Sequence, residues 1–439
     1  MILALPIIFA LLLVSPLSAI SAEESNDGTS EVSKEDESSY PVVYAIKVVG
    51  ARVTRPEMIL REMRLKRGMR TTPESLESDR YHILSMGLFN HVEISVISDE
   101  GRAVVLVRLT ERFYIYPYPI FRYDPAAPQR RIFGITLNHD NFRGFGERLT
   151  GGWWDGYEHG FLLVHRDPWF SYRGLYGLRT QIYVNNIELG DSAHSAAKVE
   201  SYLIRLDRRI DRDRWIGVET EWEERSSSAA FYTLSSSGRD RLFDARLYYE
   251  CDLRDYKYYP ASGYYLIAVI KGNWMADTSH SFYRELFDLR SYKKAGPFIL
   301  AVRASAQFTQ KKLPYYRQAE LTQLEIRSDE PLGLRGSRSF AANFEVRFNI
   351  IPKWYISLPD VPLAGPYLQR MKFSVEGLLF IDRGFLTVPE FDRDLSLTAY
   401  GCGFQIQMPY LETAHATIGW SKQNPLTKPA YVLETGVTF

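Results

Sequence analysis

The feature that most constrains this chain is an alternation of apolar and polar residues with a period of two, which recurs from Phe113 to the C-terminus. In the segment WIGVETEWEE (residues 215–224), Ile216, Val218 and Trp222 share one face, whereas three glutamates share the other. Successive side chains of a strand point to opposite faces, so this pattern predicts strands. No apolar run in this region is long enough for a membrane-spanning helix.

A soluble β-sandwich and a membrane barrel both show such alternation. Sandwich strands usually have about five or six residues, whereas these segments have about nine to twelve, as membrane strands do. Aromatic residues make up 14% of the chain and cluster at segment ends, where interfacial girdles would lie. In lipid every backbone polar group needs a partner, so only a closed barrel is viable. The pattern therefore predicts a transmembrane antiparallel β-barrel over residues 113–439.

The alternation predicts about 16 strands, an even number as in bacterial barrels. Their expected starts lie near residues 114, 131, 146, 158, 175, 197, 213, 240, 263, 282, 297, 338, 371, 397, 411 and 429. The longest gap between predicted strands covers residues 309–337. Loops of this length usually carry function or are disordered.

The region before the barrel divides into three parts. Residues 1–22 are apolar and end in small residues, which predicts a signal peptide; an uncleaved anchor helix is the alternative. Residues 23–40 are acidic and serine-rich, which predicts a disordered linker. Residues 41–112 predict a small α+β domain with the order strand, helix, helix, strand, strand. Two helices would cover one face of its sheet and leave an edge strand free.

Composition and motifs give little support for other classes of function. The 53 basic and 53 acidic residues balance, which argues against a nucleic-acid partner. Cys251 and Cys402 are too few for a disulfide scaffold and are interpreted as small apolar fillers of strands. The sequence contains neither H-E-x-x-H nor G-x-S-x-G, and no cysteine spacing typical of zinc. Clustered acids such as Glu219 and Glu221 could form a catalytic pair, but fit the inner wall of a barrel better. We therefore expect no enzymatic activity, no metal and no cofactor.

Several motifs, in this order, resemble one family. Residues 41–112, with GLFNHVEI at 87–94, resemble a POTRA domain. The barrel resembles the BamA/TamA outer-membrane assembly family, also called bacterial surface antigens. The similar segments are DNFRGFGERL (140–149), YYPASGYY (258–265), LRG (334–336), NFEVRF (343–348), FIDRGF (380–385) and the aromatic C-terminus. The family's housekeeping members carry several POTRA domains, whereas this chain has room for one.

The resemblance implies that the loop at 309–337 folds back into the barrel. In this family a loop arginine, within an apolar-Arg-Gly-aromatic motif, contacts acidic residues on the inner wall. Arg335 and Gly336 match the motif, whereas Ser337 replaces the aromatic residue. The implied partners are Glu345 and Asp382, and strand parity independently points both toward the lumen. An arginine fork can hold two carboxylates, and Gly336 would allow close approach of the backbone. The alternative is that Arg335 is a solvated loop residue.

The resemblance also implies a function, namely insertion of proteins into the outer membrane. An unfolded client would add a strand to the free POTRA edge. It would then meet a seam between the strand near Tyr114–Phe121 and the last strand, where Tyr431, Gly436 and Phe439 would govern closure. The expected partners are unfolded clients, the bilayer and periplasmic accessory proteins, with the POTRA domain in the periplasm. A pore that secretes a partner polypeptide is the leading alternative, and a passive porin is the third.

Overall fold

The structure is a computed structural model that describes residues 40–99, 102–122, 131–171, 175–188, 196–229, 232–278, 280–310, 313–321, 325–328, 335–388, 393–409, 412–422 and 429–435. Four sequence predictions concern residues outside these ranges. They are the signal peptide at 1–22, the linker at 23–40 apart from Tyr40, and the two closure residues Gly436 and Phe439.

The N-terminal domain has the predicted order of elements. A three-stranded sheet in the order β1-β3-β2 pairs β1 with β3 in parallel and β2 with β3 antiparallel. The second helix starts with a capping box between Thr72 and Ser75, followed by Pro73 in the first turn. Apolar residues of both helices pack on one sheet face, including the fully buried Ile59 and Ile83. The elements are β1 (Val43–Val49), α1 (Pro56–Glu62), α2 (Pro73–Leu84), β2 (Phe89–Asp99) and β3 (Arg102–Glu111).

The remainder of the chain forms a 16-stranded antiparallel sheet, which confirms the predicted fold class. Its strands are β4 (Ile115–Arg122), β5 (Ile132–Phe142), β6 (Glu147–Gly156), β7 (Glu158–Asp167), β8 (Tyr176–Glu188), β9 (Ala196–Arg209), β10 (Arg214–Ser227), β11 (Arg239–Asp252), β12 (Gly263–Met275), β13 (Ser281–Ala295), β14 (Phe298–Gln310), β17 (Arg338–Ile356), β18 (Met371–Val388), β19 (Arg393–Met408), β20 (Glu412–Ser421) and β21 (Ala430–Thr435). Each strand pairs with its neighbour in the chain, except that β14 pairs with β17. Among the described residues, β4 and β21 are the two edges of this sheet.

The loop between β14 and β17 contains its own small elements. A short 3-10 turn covers Tyr315–Arg317. Two further segments, β15 (Ala319–Glu320) and β16 (Arg335–Gly336), pair with each other. The loop is therefore folded in its described parts.

The two faces of the large sheet differ as a membrane barrel requires. On β10, Val218 is 52% exposed, whereas Glu219 is only 5% exposed. The same inversion recurs on β18, where Ile381 is 56% exposed and Asp382 is completely buried. A water-soluble sandwich would expose its carboxylates instead. We call the face with exposed apolar side chains the outer face, and the face with buried polar side chains the inner face.

Neither helix of the described residues has the length and apolar character needed to cross a bilayer. Cys251 lies on β11 and Cys402 on β19, and both are free thiols. The predicted placement of both cysteines in strands is confirmed.

Candidate functional site

A loop arginine sits between two carboxylates on the inner face of the large sheet. The arginine is Arg327, whose Nη1 lies 2.5 Å from Oε1 of Glu345. Its Nε and Nη2 donate to the two oxygens of Asp382 at 2.8 and 2.7 Å. The backbone N–H of Arg327 also donates to Asp382, at 3.1 Å. We call Arg327, Glu345 and Asp382 the loop clamp. The guanidinium group of Arg327 is planar and charged, and its several N–H donors suit two neighbouring carboxylates.

Adjacent strands bring the two carboxylates together. Glu345 on β17 lies opposite Phe380, and Asp382 on β18 lies opposite Asn343. Both carboxylates are on the inner face and at most 1% exposed. The Asn343 amide donates to Asp382 at 2.9 Å, and its other contact is the backbone oxygen of Glu325 at 2.7 Å. Local strand alternation therefore places the acceptors, and pairing of β17 with β18 sets their separation.

Apolar groups complete the clamp. The Phe380 ring lies 3.7 Å from the guanidinium carbon of Arg327, which allows a cation–π contact. Ile326, the preceding residue, is fully buried in a cluster with Leu321 and Leu386. A Cβ atom at Gly419 on β20 would overlap the carbonyl oxygen of Arg327, so glycine is required for this approach. The loop backbone thus rests directly on the wall.

The neighbouring carboxylates keep the guanidinium group of Arg327 charged. Burial by itself would lower the pKa of the guanidinium, but Glu345 and Asp382 reverse this, and the pKa of Arg327 is raised. A second arginine, Arg347, donates to the other oxygen of Glu345 at 2.9 Å. Two carboxylates and two arginines therefore balance in a buried site.

The structure places Arg327, and not the predicted Arg335, on these two carboxylates. Arg335 lies on β16, where it pairs with Glu320 of β15. From the start of β17, Glu345 is seven positions further along a strand that rises about 3.3 Å per residue. That distance exceeds the reach of one side chain. Arg327 comes earlier in the loop, where the chain lies on the inner face against β17, β18 and β20.

Gly336 does approach the wall closely, but at a different place. It is buried, and a Cβ atom there would overlap the carbonyl oxygen of Thr387 on β18. The next N–H, that of Ser337, donates to the same oxygen at 3.0 Å. Gly336 therefore fits the start of β17 against β18, away from the clamp. The sequence clue missed was LEIRSD, in which the apolar Ile326 precedes Arg327 while Ser328 replaces the glycine of the family motif.

The same loop has a second anchor on a different part of the wall. Arg317 lies 2.9 Å from Glu223 on β10 and 3.3 Å from Asp244 on β11. The hydroxyl of Tyr316 donates to Asp240 at 2.7 Å. Sequence reasoning missed both residues, because nothing in their local pattern distinguishes them from solvated loop residues.

The two anchors lie far apart on the sheet. Four strands, namely β12, β13, β14 and β17, separate β11 from β18. At about 4.8 Å between neighbouring strands, the anchors lie roughly 24 Å apart along the wall. The loop therefore bridges the inner face between two separate points.

A second group of ion pairs joins the N-terminal domain to one end of the large sheet. Glu62 of α1 accepts two hydrogen bonds from Arg209, each 2.7 Å long. Arg212 lies in the turn after β9 and donates to Asp79 of α2 at 3.0 Å. His82 completes the group, with Nε2 at 2.9 Å from Glu62. We call these five residues the domain joint. Three of them, Glu62, His82 and Arg209, border a cavity of about 380 Å³.

Protonation of the joint is set by burial and by its ion pairs. Burial would raise the pKa of Glu62, but hydrogen bonds from Arg209 and His82 outweigh it, so the pKa is strongly lowered. Burial lowers the pKa of His82, while its hydrogen bond to Glu62 opposes this shift. The joint therefore favours an ionised carboxylate beside a neutral imidazole near pH 7.

The DNFRGFGERL segment forms part of the same contact. The backbone N–H of Arg55 donates to the carbonyl of Gly144 at 3.0 Å. The amide of Asn141 donates to Thr54 at 2.9 Å, and its oxygen accepts from the N–H of Gly146 at 2.8 Å. This segment forms the turn between β5 and β6, and it contacts the N-terminal domain through these hydrogen bonds.

Among the described residues, no group of three or more His, Cys, Asp or Glu side chains is arranged to hold a metal ion. Tyr431, predicted to act in closure, lies on β21 and is 73% exposed.

Comparison with known proteins adds independent information. The POTRA family model, described as a surface antigen variable number repeat, matches residues 41–112. BamA from Haemophilus ducreyi lacking POTRA domains 1–3 is 14% identical, with a TM-score of 0.52 over 90% of this chain and 84% of that chain. CdiB from Escherichia coli is 12% identical, with a TM-score of 0.55 over 90% and 75% of the two chains. CdiB from Acinetobacter baumannii is 11% identical, with a TM-score of 0.54 over 90% and 73%. No curated protein matches the chain in sequence.

Proposed function

We propose that this chain, which belongs to the BamA/TamA-like family of POTRA-bearing barrels, assists the assembly and insertion of proteins into the outer membrane. One observation carries the proposal. A POTRA domain is docked on a 16-stranded sheet whose two edge strands, β4 and β21, have no second partner among the described residues. Such edges can accept an extended chain without any enzymatic step.

The first step takes place on the POTRA domain. The order β1-β3-β2 leaves the outer edges of β1 and β2 unpaired within the described sheet. We assign client binding to β2, because it is the longer of the two edge strands, with 11 residues against 7 in β1. Main-chain hydrogen bonds would hold an added strand and tolerate varied side chains.

The second step takes place at the seam between β4 and β21. A client strand would satisfy backbone groups that are costly to leave unpaired in lipid. Tyr431 lies at this edge, and we propose that Gly436 and Phe439, beyond the described residues, act in closure with it.

The loop clamp and the domain joint support these steps in different ways. Arg327 and Arg317 fasten the long loop across the inner face, which keeps that part of the wall in a fixed shape. Glu62, Arg209 and their neighbours hold the POTRA domain beside the end of the sheet, where a client would arrive.

A polypeptide secretion pore is the second candidate. The likeness in fold to two CdiB structures favours it. In such a pore the loop anchors at Arg317 and Arg327 would have to release before a chain could pass through the lumen. A passive porin is the third candidate. A POTRA domain and a loop fastened across the lumen both argue against it.

The proposal includes a location and partners. The barrel would lie in the bacterial outer membrane, with the POTRA domain in the periplasm. Its partners would be unfolded barrel proteins, or an exported polypeptide in the alternative function, together with lipid and periplasmic accessory proteins.

Depletion followed by quantitative outer-membrane proteomics tests the proposal. An assembly factor predicts that several unrelated barrel proteins decline together and recover when the chain is expressed again. Loss of a single exported polypeptide, with barrel proteins unchanged, would contradict assembly and favour secretion. An unchanged proteome and secretome would contradict both.

A further inference from the structure

The first strand of the large sheet carries two prolines at its free edge. Pro117 and Pro119 lie on β4, which pairs with β5 without any shift of register. Proline lacks a backbone N–H, and in sheets it is confined to positions where no donor is needed. What the edge can bind therefore depends on whether the backbone of these two prolines is directed to β5 or to the free edge.

The hydrogen-bond pattern gives that direction. The N–H of Asp140 donates to the carbonyl of Tyr114 at 3.0 Å, so this is a hydrogen-bonded pair of the antiparallel ladder. Such pairs recur at every second residue. Even-numbered residues of β4 therefore bond to β5, and odd-numbered residues direct their backbone groups to the free edge. Both prolines are odd-numbered.

The free edge of β4 is consequently poor in donors. Four residues direct a carbonyl group to this edge, namely Ile115, Pro117, Pro119 and Phe121. Of these, only Ile115 and Phe121 also direct an N–H to it. The missing donors are the two central ones. Two carbonyl groups of any strand added there would find no backbone partner, which lipid penalises.

The opposite edge has no such gap in its described part. The N–H of Lys422 donates to Thr398 at 2.8 Å, which assigns the even-numbered residues of β20 to β19. The odd-numbered residues of β20 then bond to β21, as in the pair Thr417↔Val432. The residues of β21 that face the free edge are Tyr431, Leu433 and Thr435. Each has a backbone N–H.

We infer that an incoming extended strand adds to β21 and that the proline pair blocks such addition to β4. This inference rests on the proposed function, because it specifies which side of the seam receives the client. The prolines act on β4 as edge prolines do elsewhere, by preventing an unwanted strand from pairing.

Photo-crosslinking from the two edges tests the inference. Phe121 on β4 and Tyr431 on β21 form a matched pair, since they are 74% and 73% exposed and each lies on a strand that borders the seam. Each is replaced in turn by a photoreactive phenylalanine in the full chain, reconstituted in lipid nanodiscs. The probe is a synthetic peptide of about ten residues with strict apolar–polar alternation, the length and pattern of one barrel strand. The same peptide, N-methylated at every residue so that neither of its edges retains donors, is the control.

We expect the unmodified peptide to crosslink at least about tenfold more from position 431 than from position 121, as two missing hydrogen bonds imply. The double substitution Pro117→Val and Pro119→Val should restore the donors and bring the two yields within about threefold of each other. The folded state of this variant is checked by its shift in electrophoretic mobility on heating.

Two outcomes overturn the inference. Equal yields from both edges of the native chain would mean that the prolines do not block β4, while strand addition at the seam still stands. Yields no higher than those of the N-methylated control at both edges would remove strand addition itself. That second result would also contradict the seam step of the proposed function, whereas depletion proteomics tests that function independently.

Discussion

The loop clamp and the domain joint use the same chemistry in different surroundings. Each places an arginine on a carboxylate through two hydrogen bonds, Arg327 on Asp382 and Arg209 on Glu62. The clamp has a second carboxylate, an aromatic floor and a fully buried acceptor. In the joint, Glu62, His82 and Arg209 border a cavity of about 380 Å³ at the boundary between two domains.

The difference indicates what each contact is for. Charges released from the clamp would remain buried, which is costly, so the clamp is suited to a fixed attachment. Glu62 and Arg209 of the joint, once separated, can be solvated through the adjoining cavity, so opening this pair costs less. We therefore expect the loop to remain attached to the inner face, and the POTRA domain to be able to dissociate from the end of the large sheet.

Removing the clamp arginine should have the largest effect. Arg327→Ala leaves Glu345 and Asp382 in a buried site with one fewer cation, and should lower the free energy of unfolding by about 3–5 kcal/mol. Urea unfolding in detergent micelles measures this. The matched control is Arg335→Ala, an arginine of the same loop that does not contact these carboxylates. Equal losses in the two variants would remove the distinction between them.

Crowding the clamp should have the next largest effect. Gly419→Ala places a Cβ atom on the carbonyl oxygen of Arg327 and should cost about 1–3 kcal/mol in the same unfolding assay. Gly151→Ala is the matched control, because at that strand glycine the nearest atom to a Cβ is a Leu163 methyl at 3.7 Å. If Gly419→Ala is as well tolerated as the control, the loop does not rest on β20 as described.

Breaking the joint should move the POTRA domain without unfolding the barrel. Arg209→Ala removes both hydrogen bonds to Glu62 and should broaden the distance between spin labels at Ser98 and Lys294, measured by pulsed electron paramagnetic resonance. Arg214→Ala, which removes an exposed pair with Asp211, should leave it narrow. An unchanged distribution for Arg209→Ala would show that other contacts hold the domain.

Acid should open the joint to a smaller extent. The folded-state pKa of Glu62 lies below its ordinary 4.5, so its contribution is present above that pH and declines as the pH falls toward the lowered value. The folded-state pKa of His82 is also lowered, from 6.5, so its protonation below that pH opposes docking as well. We expect the distribution of Ser98–Lys294 distances to broaden as the pH falls. The Glu62→Gln variant should lack the part of this broadening that occurs below pH 4.5. A distance that does not change as the pH falls from above 6.5 to well below 4.5 contradicts the assignment.

The sequence predicted the fold well because the decisive pattern is local. Alternation in segments such as WIGVETEWEE records which residues face lipid and which face the lumen, one strand at a time. Glu345 and Asp382 were located by the same parity. Arg327 was not, because its place depends on Phe380 and Gly419, which are distant in the chain. Likewise, Pro117 and Pro119 are visible in the sequence, but their direction requires the hydrogen-bond register of β4.

The most direct test of the clamp is a pair of double-mutant cycles with Asp382→Asn. One cycle combines it with Arg327→Ala and the other with Arg335→Ala, and free energies of unfolding are measured for all variants. We predict a coupling energy of about 2–3 kcal/mol for Arg327 with Asp382, and at most about 0.5 kcal/mol for Arg335 with Asp382. Strong coupling to Arg335 together with none to Arg327 would contradict the account.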